Sequence, residues 1–201
     1  NLRWRQYLRD EAQGSSTVQR QILAACKQSC LYWINGFVWT HRQRVVMETG
    51  GYRPTLAHEA NVPLITWPVQ DEVIQEIQEC IFGGRDINIP KSRDMGASWS
   101  VLAVFDWLFL FYEEVKLGLV SRTETWVDWP GEMDSLFEKV RCIHRSLPKW
   151  MVPHIRSRYM HLMNLDLNSS MSGESTNQNV GRGGRKLAYL VDEAAAIEKG
   201  E

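Results

Sequence analysis

"IPKSRDMGASWSVLAVF", running from Ile89 to Phe105, is the stretch on which the fold turns. A phosphate-binding loop between a strand and a helix reads G-x-x-x-x-G-K-[ST]. Here Gly96 and Ser98 hold the second-glycine and hydroxyl positions, Ala97 sits where the lysine belongs, and Lys91 takes the first-glycine position. With "DINIP" (Asp86 to Pro90) as a strand and a helix starting near Ser98, the turn between them would aim backbone N–H groups and a positive helix end at one point. That geometry holds phosphate. Gly96 permits close backbone approach, and the Ser98 hydroxyl can ligate Mg²⁺. Lys91 could reach the phosphates across the loop in place of a cation at position 97, with Arg93 adding a second charge. The same residues also fit an ordinary polar turn.

A second stretch bears on that choice. "KLAYLVDEAA" is an apolar strand ending in Asp192 and Glu193. A carboxylate at the C-terminal end of a central strand can hold Mg²⁺ through water, and a second one beside it can activate an attacking water. An acidic pair opening a helix would look the same taken alone. A third stretch, "GESTNQNVGRGGRKL", sets Arg182 and Arg185 among glycines just before that strand. An arginine in such a loop could stabilise a transferring phosphate, in its own subunit or a neighbour's, or simply belong to a solvated turn.

Composition narrows the class. The chain has 201 residues, 44% of them hydrophobic, enough for a substantial core. The formal net charge of −1 gives no overall basic field, so any DNA contact must come from a local patch. Four cysteines (Cys26, Cys30, Cys80 and Cys142) are too few and scattered for a disulfide framework. Cys26 and Cys30 lie four apart on what reads as one helix face, with no second ligand pair at zinc spacing, so they read as buried or free thiols. The opening "NLRWRQYLRDEAQ" is charged throughout, unlike a signal peptide. The longest apolar run, "WSVLAVFDWLFLFY", is short for a bilayer, is interrupted by Asp106 and reads as a helix buried in protein. The expectation is a soluble chain with no membrane segment.

Periodicity orders the rest. Residues 1 to about 34 read as helical, with Ser15, Ser16 or Thr17 as N-cap for "STVQRQILAACKQSCLYWI". Asn35 to Pro68 reads as loops with a short hairpin, and "VQDEVIQEIQECIF" as a helix stopped by Gly83–Gly84. "GLVSRT" reads as a strand, "DSLFEKVRCIHRSL" as an amphipathic helix, and "RYMHLMNL" with "SSMSGEST" as a pair of strands. Strands alternating with helices predict an α/β fold: a mostly parallel central sheet with helices on both faces, preceded by an N-terminal helical segment. The division falls near residue 66, with 1–66 as the N-terminal segment and 67–201 as the core.

In their order, "PVQ", "KSRDMGASW", "GLVSRTE", "GESTNQNVGRGGR" and "LVDEAA" resemble the ATPase domain of the large terminase subunit of tailed bacteriophages, the motor that packs DNA into proheads. The resemblance runs from about Trp67 to Ala196. It implies a P-loop NTPase of the type with an extra strand and a catalytic glutamate, and Mg-dependent ATP hydrolysis driving double-stranded DNA into a capsid. Some members of the family carry their lysine at the first loop position, which would make Lys91 the phosphate lysine. Gln70 would read the adenine edge. Lys91, Ser92, Arg93, Asp94, Met95, Gly96, Ala97 and Ser98 would form the nucleotide loop, with Ser98 and Asp192 at the metal. Glu193 would be the catalytic carboxylate, aided by Arg93, and Arg182 would complete a neighbour's site. The implied partners are double-stranded DNA, a portal protein and a small terminase subunit, in a homo-oligomeric ring in the host cytoplasm. The chain stops eight residues after Glu193, before the coupling motif, further strands and nuclease domain that the family carries. Two other readings share these residues: a helicase-like ATPase acting on nucleic acid, and a catalytically inert P-loop-like docking module.

Overall fold

The computed structural model describes residues 1–42, 44–47, 51–54, 56, 60–90, 96–175 and 184–193. Three helices open the chain: α1 (Leu2–Ala12), α2 (Ser16–Gln28) and α3 (Cys30–Phe37). Two serines punctuate them. Ser15 Oγ accepts from the Val18 N–H and Ser29 Oγ from the Tyr32 N–H, each satisfying a donor that a helix start leaves without a partner. Ser29 both ends α2 and starts α3, so Cys26 and Cys30 stand on separate helices and not on one face. Both are buried. Burial pushes the Cys26 thiol up to about 12, and the Cys30 thiol upward for the same reason.

The next segment forms two short antiparallel pairs. β1 (Trp39–His41) pairs with β4 (Asn61–Pro63), and β2 (Arg44–Val46) with β3 (Tyr52–Pro54). Arg5 ties α1 to this region. Arg5 is 3% exposed, and its guanidinium donates to the carbonyls of Ile34, Val38 and Leu64 at 2.9–3.0 Å. Burial lowers its pKa to about 10, with Arg9 adding to the shift.

α4 (Pro68–Gly83) ends as its glycines foretell. Gly84 takes the left-handed conformation (φ 62°), and the Arg85 N–H closes back on Cys80 O at 2.8 Å. The expected strand at Asp86–Pro90 does not form; these residues have no regular structure and are mostly exposed. Ile87 is 39% exposed, and Pro90 has no N–H to give a ladder. Two alternating isoleucines bury too little to hold a strand there. α5 (Ala97–Phe111) is the central element: every residue from Ser100 to Phe111 is buried. Trp107 Nε1 donates to Cys26 O at 2.7 Å, fastening α5 to α2.

The main sheet has five strands: β5 (Lys116–Ser121), β6 (Ile155–Arg158), β7 (His161–Asn164), β8 (Ser169–Ser175) and β9 (Ala188–Val191), in the order β6-β7-β8-β5-β9. β5 runs parallel to both β8 and β9, while β6, β7 and β8 form an antiparallel meander. The α/β class is therefore observed, but the sheet is mixed where a mostly parallel one was expected. The reason is the connections. Turns of two and four residues join β6 to β7 and β7 to β8, whereas a parallel pair needs a crossover of about a dozen residues or more. β5 reaches β8 through such a crossover, which contains α6 (Glu124–Val127) and α7 (Leu136–Ser146).

Helices α5 and α6 contact the sheet on the face that buries Leu117, Leu119, Leu162 and Met171. Under α6, Asp128 accepts from Arg141 through both oxygens (2.7 and 2.9 Å) and from the Met160 N–H (2.6 Å). Glu138, 5% exposed, meets Arg145 at 2.8 Å and Arg141 at 3.4 Å. These charges lock α6, α7 and the β6–β7 turn together.

On the opposite face of the sheet the Tyr189 ring lies over Gly118, and a β-carbon there would fall 2.2 Å from the ring. Gly118→Ala should therefore cost about 1–3 kcal/mol in urea unfolding. Combining it with Tyr189→Ala should cost less than the sum of the two single losses. Strict additivity would show that the ring is not the obstacle.

Candidate functional site

Among the described residues, Gly96, Ser98, Asp192 and Glu193 come together where α5 begins and β9 ends. Gly96 caps α5 in the left-handed conformation (φ 72°), so the first-turn amides and the positive helix end face the residues after β9. Ser98 lies in that turn. Its Oγ donates to Asp192 Oδ2 at 2.9 Å, although 94 residues separate the two. Asp192 is placed by the sheet: its N–H bonds Val120 O at 2.9 Å, extending the β5–β9 pairing one step past Val191. A hydroxyl and a carboxylate side by side are oxygen ligands of the kind Mg²⁺ takes, usually one or two from protein with phosphate and water completing the shell. Among the described residues no three His, Cys, Asp or Glu side chains gather as a metal site.

Gln70 joins the same corner. Its Oε1 accepts from the Trp67 N–H at 3.0 Å, which fixes the amide, and a β-carbon on Gly96 would sit 3.4 Å from Gln70 Nε2. The amide thus lies against the turn that precedes α5. Lys91, Ser92, Arg93, Asp94 and Met95 lie outside the described residues, as does Arg182.

Glu193 follows Asp192 with φ 54°, a left-handed conformation that costs a non-glycine residue on the order of 1 kcal/mol. Its N–H donates to Asp192 Oδ1 at 3.1 Å. Its carboxylate is half exposed and meets Arg122 Nε at 3.4 Å. Arg122 comes directly after β5, and its guanidinium sits 4.6 Å from the centroid of the Trp126 ring on α6. Sequence reading missed Arg122 and Trp126. Arg122 lies in "GLVSRTE" but takes no role from that motif, because its nearness to Glu193 comes from the parallel β5–β9 pairing; Trp126 enters only as the ring under Arg122. Arg185 departs from expectation: it precedes β9 and lies at the strand's other end, so it is not beside Asp192 and Glu193 within one chain.

Compared with known proteins, the chain matches no family model and no curated protein. The hydrogen bond between Ser98 and Asp192, the amide of Gln70 and the Glu193–Arg122 pair are what functional argument rests on.

Proposed function

We propose that the chain is a P-loop ATPase core of the catalytic-glutamate type, hydrolysing ATP with Mg²⁺ to translocate double-stranded viral DNA, as a large terminase subunit does. The observation that carries the reading is the approach of Ser98 to Asp192 at the N-terminal end of a buried helix. Ser98 and Asp192 would hold Mg²⁺, which when bound with ATP neutralises phosphate charge. The first-turn amides of α5 bind phosphate oxygens through the positive helix end. Lys91 supplies the loop's cation and Arg93 a second, while Gln70 orients the base. Glu193 holds the attacking water and accepts its proton, and for that it must leave Arg122. Arg182 is proposed to act on a neighbour's site in an assembled ring, with the portal protein and the small terminase subunit as further partners.

Ser98→Ala should weaken binding of ATP in the presence of Mg²⁺ roughly tenfold and leave metal-free ATP binding nearly unchanged, since it removes one metal-ligating oxygen. Lys91→Ala should weaken both, because it deletes a charge-assisted hydrogen bond to phosphate that forms with or without Mg²⁺. Titration of a fluorescent ATP analogue with and without Mg²⁺ separates the two. A chain that binds no ATP under either condition overturns the reading.

A further inference from the structure

The sheet face opposite α5 has a charge pattern of its own. Side chains alternate across a strand, so with Leu117, Leu119 and Met171 on the core face, this face carries Lys116, Gly118, Ser170 and Ser172. Register aligns two rows across four strands. One reads Arg156, Met163, Ser170, Lys116, and the other Arg158, His161, Ser172, Gly118. At about 4.8 Å between strands the rows span about 14 Å. The first row has cations at both ends; the second has one only at Arg158, and at its other end the Tyr189 ring lies over Gly118 and the Ser172 hydroxyl is buried. Beside the Lys116 end lies a hollow of about 420 Å³ lined by Lys116, Arg185 and Lys186, with Glu114, Asn168 and Leu187.

Lys116, Arg156, Arg158 and Arg185 are exposed; among the described residues, Glu114 lines the hollow and Glu174 follows Ser172 by two positions on β8. The His161 imidazole is held below its ordinary range, first by partial burial and then by Lys186 and Arg158. The whole chain has a net charge of −1, so this concentration of cations is local.

We propose that this band binds the phosphodiester backbone of nucleic acid, at a place separate from the Ser98–Asp192 site. The row from Arg156 to Lys116, about 14 Å long with a cation at each end and Met163 and Ser170 between them, is too extended for one phosphate and matches about four 3.4 Å steps along a nucleic-acid strand. The hollow opens at the start of β5 and β9, whereas Ser98 and Asp192 lie at their C-terminal ends, so both sites can be filled together. The proposal rests on the proposed function only in taking double-stranded DNA as the form to test.

The probe is a short fluorescent DNA duplex of mixed sequence, titrated by anisotropy at several salt concentrations. Lys116→Ala/Arg185→Ala/Lys186→Ala should weaken binding at least tenfold and flatten the slope of log affinity against log salt by about 2–3, near 0.9 for each phosphate no longer neutralised. A glutamine version of the same three changes keeps side-chain length and should behave alike, with melting curves confirming the fold. Arg3→Ala/Arg20→Ala/Lys149→Ala removes three exposed cations elsewhere and should leave affinity and slope unchanged. Unchanged duplex binding in the first two variants, equal loss in the third, or tighter binding to phosphatidylserine vesicles than to duplex at equal salt overturns the proposal. Duplex binding that needs the three cations in a chain unable to bind MgATP upholds it and counts against the nucleotide reading alone.

Discussion

Glu193→Gln should bind ATP as tightly as the parent chain and turn it over more slowly by roughly two or more orders of magnitude. The amide keeps the size of the side chain and can still meet a water, but it cannot take a proton. On the proposed reading, ground-state affinity would come from the helix end, the loop and the metal ligands, which the change leaves alone. The ion pair to Arg122 sharpens the expectation. Glu193 is half exposed and its partner sits 3.4 Å away, so the pair is weak and separable. Arg122→Ala should then raise basal turnover, or leave it unchanged, while Glu193→Gln abolishes it in either background. Single-turnover hydrolysis with bound nucleotide measured in parallel decides the matter. Loss of ATP binding in Glu193→Gln with an intact melting curve would make Glu193 a structural carboxylate.

The largest stability effect is expected at Arg141. Its guanidinium meets both oxygens of Asp128, whose side chain is fully buried, and also touches Glu138. Arg141→Leu strands a buried carboxylate and should cost about 3–5 kcal/mol, the usual penalty for breaking a buried pair from one side. The double change Asp128→Leu/Arg141→Leu should cost less than Arg141→Leu alone, although it also orphans the Met160 N–H. Urea unfolding of both variants tests this. A double variant weaker than the single would mean that the Met160 bond, and not the ion pair, holds the β6–β7 turn.

Elements with strong local signals were legible. Gly84 stops α4, Ser15 starts α2, and the run from Ser100 to Phe111 had to be buried somewhere. The meeting of Ser98 and Asp192 was legible because a loop hydroxyl and a strand-end carboxylate both read as Mg²⁺ ligands, as the resemblance also implies. Features set by long-range partners were not. Asp86–Pro90 alternates like a strand but remains exposed, since alternation does not say whether a neighbour is there to pair with. β6 ("IRSR") has too few apolar residues to look like a strand, yet β7 holds it through the Ile155–Asn164 register. Cys26 and Cys30 fit one helix by spacing until Ser29 is recognised as a cap. Arg122 sits in "GLVSRTE", yet nothing local there says that its partner is Glu193, which follows the neighbouring strand β9.

The burial of α5 on all sides has a consequence for amide hydrogen exchange. A helix with no solvent-facing side chain between Ser100 and Phe111 has no shallow opening available, so its amides should exchange only when the whole core unfolds. Their protection then measures global stability. A ligand that binds only the folded chain adds RT ln(1 + [L]/Kd) to that stability. Adding MgATP should therefore slow exchange along α5 by one common factor, even at amides far from Ser98. That factor, followed against nucleotide concentration, reads out the dissociation constant from the middle of the protein without a label or a turnover assay.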